Sequence, residues 1–121
     1  MINDPFDIEW IQADPLGRDI VLRKSVADAR ESVSKHVGNE FLPRDDIRGI
    51  IRDPARIDLT QKSPRHSEIY YSDPDMSKTH PYGRVVVRFN EADKGEAVSW
   101  SRYEKHVSLM DIVYERPVSE S

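Results

Sequence analysis

The sequence predicts an α+β fold: an N-terminal β-hairpin, two helices, then a mostly antiparallel sheet. Three observations lead there. Apolar residues alternate at period two on either side of a turn signal near the start of the chain. They recur at helical spacing through residues 25–54. From residue 57 onward, short β-branched and aromatic runs are separated by polar turns, which reads as a strand meander.

Taken in order, Phe6, Ile8 and Trp10 alternate with Asp7 and Glu9, the mark of a half-buried strand. Asp14-Pro15-Leu16-Gly17 is a turn signal, and Asp19–Arg23 follows as the second arm of the hairpin. Ser25 is the expected N-cap of the first helix, with Asp28 three residues on. Val26, Ala29, Val33 and Val37 form its stripe, and Gly38-Asn39 stops it. Pro43 opens the second helix, Asp45 and Asp46 suit its first turn, and Ile47, Ile50 and Ile51 form its apolar side. Pro54 ends it. Strands are expected over 57–60, 67–72, 84–89 and 96–103, with 90–95 as a hairpin turn and 73–81 as a mobile loop. Residues 107–114 read as a last strand or short helix.

A chain of 121 residues is about one domain long, with loose ends expected over 1–5 and 115–121. At 37% hydrophobic and 33% charged, it has a lean core under a charged surface, and it is too patterned to be disordered throughout. No apolar run approaches the roughly 20 residues of a membrane span, so no membrane association is expected. Met1–Pro5 has no basic start and no apolar stretch, so no secretory signal is expected, and the absence of cysteine fits a cytoplasmic location. The same absence removes thiol catalysis and cysteine-zinc sites. Net charge is −4. The segments 1–16 and 111–121 hold seven of the 22 acids and one of the 18 basic residues, so the body between them carries 15 acids against 17 bases. Acidic ends flank a slightly basic body.

The histidines, His36, His66, His80 and His106, lack metal-site spacing, so neither metal nor cofactor is expected. His36 follows Lys35 at the expected end of helix one. A charged histidine there is stabilised by the helix dipole; it could equally serve as a general base beside a cleft. In the hairpin 84–103, alternation puts Val85, Val87 and Phe89 on one face with Val98 and Trp100, and Arg84 and Arg88 on the other with Ser99, Ser101 and Tyr103. Such donors suit phosphate or sugar, although any solvated sheet face looks similar. Ser63-Pro64-Arg65-His66 precedes the Tyr70-Tyr71 strand. Arginine and histidine can stabilise a phosphorane and move protons, and tyrosine can stack on a base. A plain loop before a strand has the same composition.

The order of these elements resembles the phage-associated nuclease domains grouped with barnase, EndoU, the tRNase colicins and RelE. The resemblance covers roughly residues 19–103. Ile20-Val21-Leu22 stands as the first strand, Lys35-His36 as the basic-His pair closing a helix, and Ile47 to Asp53-Pro54 as the short helix. Ile57, Tyr70-Tyr71, Val85-Val86-Val87 and Ala97-Val98-Ser99 follow. Where that family often has a Thr-Ala-Tyr-like triplet, this chain has Ser99-Trp100-Ser101. The resemblance implies a toxin-type or phage-associated, metal-independent endoribonuclease acting by 2′-OH attack without a cofactor. Its partners would be RNA and a cognate inhibitor protein. The catalytic set would be His36, Arg65, Arg88 and Ser99, with Lys35, His66, Tyr71, Arg84, Ser101 and Tyr103 binding substrate. The competing expectation is a non-enzymatic protein-binding module, such as an immunity or phage accessory protein, whose acidic balance suits a basic partner.

Overall fold

The computed structural model describes residues 5–33, 42–61, 66–90, 92, 94–103 and 111–117. A short 3-10 turn, Pro5–Asp7, leads into β1 (Ile8–Ala13), which is followed by β2 (Asp19–Arg23), α1 (Lys24–Val33) and α2 (Arg44–Arg52). Then come β3 (Arg56–Gln61), β4 (His66–Tyr71), β5 (Tyr82–Phe89), β6 (Gly95–Tyr103) and β7 (Ile112–Glu115). The strands form one sheet in the order β1-β2-β6-β5-β4-β3-β7. Every pairing is antiparallel except β2 with β6. That parallel joint attaches the first hairpin to the meander, making a mixed, mostly antiparallel α+β fold.

The core lies between one face of the sheet and the helices. Ile20 and Leu22 of β2, Val85, Val87 and Phe89 of β5, and Ala97 and Trp100 of β6 meet Ala27 of α1 and Ile47, Ile50 and Ile51 of α2. Each large aliphatic side chain buried there contributes about 1.5–3 kcal/mol. The second helix carries Asp45 and Asp46 in its first turn and buries its three isoleucines as expected, but Pro43, expected as the first helical residue, stands one place earlier as the N-cap, with φ −61° and an extended ψ of 143°.

Several expectations are corrected. Ser25 lies inside the first turn of α1, because Arg23 still belongs to β2 and leaves no room for a cap between them. The capping carboxylate comes from Asp7, which accepts from the Ser25 N–H at 2.9 Å and the Ser25 hydroxyl at 2.6 Å. Ala27, and not Ala29, is the buried alanine of α1. The expected Gly38-Asn39 stop lies outside the described residues. Phe6 sits in the 3-10 turn and is exposed, because β1 starts at Ile8 with a bulge between Ile8 and Trp10.

The loop 73–81 is tied at both ends. Asp75 N–H donates to Pro81 O at 3.0 Å, and Arg102 donates to His80 O and Pro81 O at 2.9 and 3.0 Å. At the far end, Glu115 closes β7 and Arg116 donates to Asp53 and Asp73 at 2.7–3.0 Å, so the chain is held further along than a loose end from 115 would allow.

β6 carries a bulge that the sequence did not suggest. Val86 pairs with Ser99 while Val87 pairs with Ala97, which leaves Val98 as the extra residue. Ala97 therefore joins Trp100 on the helix side, in the place expected for Val98. The bulge leaves Ser99, Ser101 and Tyr103 on the face turned away from the helices.

Candidate functional site

That outer face collects most of the predicted binding groups. Register carries one row of side chains across five strands: Ser101 of β6, Arg84 of β5, Tyr71 of β4, Arg56 of β3 and Glu115 of β7. Ser99 lies in the next row beside Val86, and Arg88 lies beyond it between Glu96 and Ser67. Tyr103 pairs with Tyr82 at the near end. Arg88, Ser99, Tyr71, Arg84, Ser101 and Tyr103 thus share one face.

The row is organised by cation–aromatic contact. The Arg84 guanidinium carbon lies 3.3 Å from the Tyr103 ring centre, and that of Arg56 lies 5.5 Å from Tyr71. Arg56 is spoken for: its Nε and Nη2 donate to the two carboxylate oxygens of buried Asp58, each at 2.7 Å. Arg84 is different. Its Nε is buried and has no hydrogen-bond partner among the described residues. Arg88 is exposed and makes no ion pair among the described residues, because the facing Glu96 is held by Arg23 at 3.0 Å. Arg84, Ser99, Ser101 and Tyr103 are half-buried. The β5–β6 ribbon is therefore an accessible part of the face.

Tyr71 takes a role the sequence did not predict. It is fully buried, so its ring cannot stack on a base and instead supports Arg56 and Arg84. Burial, and then the Asp58 carboxylate, push its hydroxyl above the ordinary 10.0. Arg56 was missed from the sequence because only the β3–β4 register brings it beside Tyr71. Its alternation with Ile57 was the available signal.

His66 lies on the opposite, helix-side face, across from Phe89. Its Nε2 is 2.5 Å from Glu68 Oε2, and its ring is 5.2 Å from that of Phe89. It is the edge of a buried polar network. Arg18 forks onto Glu68 at 2.7 and 3.0 Å, donates through Nε to Asp14 at 3.0 Å, and stacks over Phe89 at 4.4 Å. Tyr70 donates to Asp14 at 2.5 Å, and the other Asp14 oxygen accepts from the N–H groups of Leu16 and Arg18. Burial alone would lower the Arg18 pKa. The bond to Glu68 and the charges of Glu68 and Asp14 outweigh that, and the net shift is upward. The buried members satisfy one another, and the network clamps the first turn to β4. His66, with 39% of its side chain exposed, reaches solvent from it.

Lys35, His36 and Arg65 lie outside the described residues. Among the described residues, no cluster of three or more His, Asp or Glu could hold a metal ion, and no helix is long and apolar enough to cross a membrane. No protein-family model, no curated protein and no solved structure matches the chain.

Proposed function

We propose that the chain is a metal-independent endoribonuclease-like domain, akin to the phage-associated nucleases it resembles, with RNA lying across the outer face of the β5–β6 ribbon. The observation that carries this reading is the shared face of Arg84, Arg88, Ser99, Ser101 and Tyr103. Guanidinium groups hold phosphate by charge and paired N–H donors, and serine hydroxyls orient phosphate or ribose. Tyr103 fixes the plane of Arg84 and so the direction of its donors. Arg84 and Arg88 bind the scissile phosphate and offset charge on the phosphorane. The 2′ oxygen attacks phosphorus, the bond to the 5′ oxygen breaks, and one proton leaves the 2′-OH as another reaches the 5′ oxygen. His36, assigned from the sequence, moves that proton, since histidine titrates near neutral pH. His66, on the other face, is not given a part.

The discriminating experiment compares a single-stranded RNA with the same strand carrying deoxyribose throughout. Cleavage of the RNA to 2′,3′-cyclic phosphate ends, with the deoxy strand bound and intact, is the expected result. Equal cleavage of both strands would rule out 2′-OH attack. No cleavage of any RNA, with tight binding of a basic protein, would favour the protein-binding module.

A further inference from the structure

The two edge strands of the sheet, β7 and β1, differ in length. β7 is four residues long, ends on Glu115 and is flanked by Asp111, Arg116 and Pro117. Charges, proline and brevity are the usual guards of an open edge. β1, at the other edge, is six residues long; it carries Glu9 and a bulge near its start and is bounded by Asp7 and Asp14-Pro15, while its stretch Trp10-Ile11-Gln12-Ala13 holds no charge and no proline. It pairs with β2 in regular register over those four residues. Among the described residues nothing pairs with its other side.

The exposed apolar side chains of this edge are arranged about one point. Ile11 is 50% exposed at the middle of β1, while Phe6 is 85% and Leu16 is 47% exposed beyond its two ends. Phe6 and Leu16 stand five positions before and after Ile11. An antiparallel copy of the strand with Ile11 opposite Ile11 therefore sets Trp10 opposite Gln12 and brings Phe6 to the neighbourhood of Leu16, twice over. In that register Asp7 faces Pro15, Glu9 faces Ala13 and Asp14 faces Ile8, so no acid opposes an acid. A register centred on Gln12 would instead set Leu16 near Ile8 and Phe6 near Arg18, which scatters the apolar groups.

We infer that β1 is a self-complementary edge and that two copies of this chain join there by antiparallel β1–β1 pairing about Ile11. The two-fold axis runs perpendicular to the sheet, so the two seven-stranded sheets become one continuous sheet. Their outer faces then lie on the same side.

Sedimentation equilibrium from about 10 μM to about 1 mM tests this. The wild-type chain should pass from monomer to dimer across that range. Ile11→Lys and Ile11→Glu each place like charges opposite each other and should each remain monomeric, with a thermal midpoint close to wild type because the residue is half exposed. An equimolar mixture of the two variants should dimerise again, since Lys then faces Glu. A wild-type chain that stays monomeric, a dimer indifferent to both substitutions, or a mixture that fails to recover would each overturn the proposal.

Discussion

The guanidinium carbon of Arg84 lies 3.3 Å from the centre of the Tyr103 ring, across two adjacent antiparallel strands on the face of the sheet opposite α1 and α2. A stacked guanidinium keeps its in-plane N–H donors for other partners. Tyr103 therefore serves as a platform. Tyr103→Leu should weaken RNA binding by roughly 2–5-fold, the worth of an exposed to half-buried cation–π contact of about 0.5–1 kcal/mol. Tyr103→Phe should keep most of the affinity. Anisotropy titrations of a labelled RNA read both, and equal losses in the two variants would show that the hydroxyl, and not the ring, matters.

Arg88 should behave as a plain phosphate contact. Its side chain is exposed and its facing acid is held elsewhere. Arg88→Ala should lower RNA affinity and reduce the steepness of its salt dependence by about one counterion. An unchanged slope would remove Arg88 from the interface.

The fold was legible where a signal was local. The second helix follows from Pro43, two acids and three isoleucines, and the β5–β6 hairpin follows from alternation around 90–95. What was not legible depended on partners far along the chain. The Asp7 cap of α1 spans 18 residues, the Arg18–Glu68 pair spans 50, and Asp14–Tyr70 spans 56. A bulge at Val98 shifts one strand by a single residue, and no composition rule marks it. The candidate site divides in the same way. Alternation alone put Arg84, Arg88, Ser99, Ser101 and Tyr103 on one face, whereas the burial of Tyr71 and the turn of His66 to the helix side follow from packing.

The buried network makes a strong prediction about stability. Arg18→Met would leave Asp14 and Glu68 buried without their cation. Breaking a buried pair from one side costs about 3–5 kcal/mol. Arg116, half-exposed and paired with exposed Asp53 and Asp73, should lose no more than about 1 kcal/mol on replacement by alanine. Urea denaturation of the two variants should separate them clearly, and similar midpoints would mean that the network carries no net stability.

Two glycines should respond in opposite directions. A Cβ on Gly95 would sit 2.6 Å from Val87 Cγ1 and 2.7 Å from Ile20 Cδ1, inside the core. Gly95→Ala should cost about 1–3 kcal/mol through overpacking. A Cβ on Gly49, in α2, meets nothing within 4 Å. Gly49→Ala should add up to about 1 kcal/mol. Thermal melts followed by circular dichroism check the pair, and a stabilising Gly95→Ala would contradict the packing described for β2 and β5.

Alkaline pH should unfold the chain through its tyrosines. Burial, and then the bond to Asp14, raise the Tyr70 hydroxyl far above its ordinary 10.0, and Tyr71 is raised as well, chiefly by burial. The unfolded chain then loses these protons first. The stability they contribute is intact below about pH 10 and is lost as pH rises above it. The thermal midpoint should be level near pH 8–9 and fall above about pH 10, less steeply in Tyr71→Phe than in wild type. A midpoint independent of pH above 10 would contradict the buried placement of both rings.

The most direct test of the account is cleavage of an end-labelled single-stranded RNA in excess EDTA by wild-type protein, Arg84→Ala and His36→Ala. Wild type is expected to cut without added metal, and His36→Ala to be slower by roughly 10²–10⁴-fold, the usual worth of a general acid or base. Arg84→Ala should lose both binding and rate while keeping the wild-type circular dichroism spectrum. Cleavage that stops in EDTA and returns with Mg²⁺, or a folded Arg84→Ala variant that binds and cuts RNA as wild type does, would contradict it.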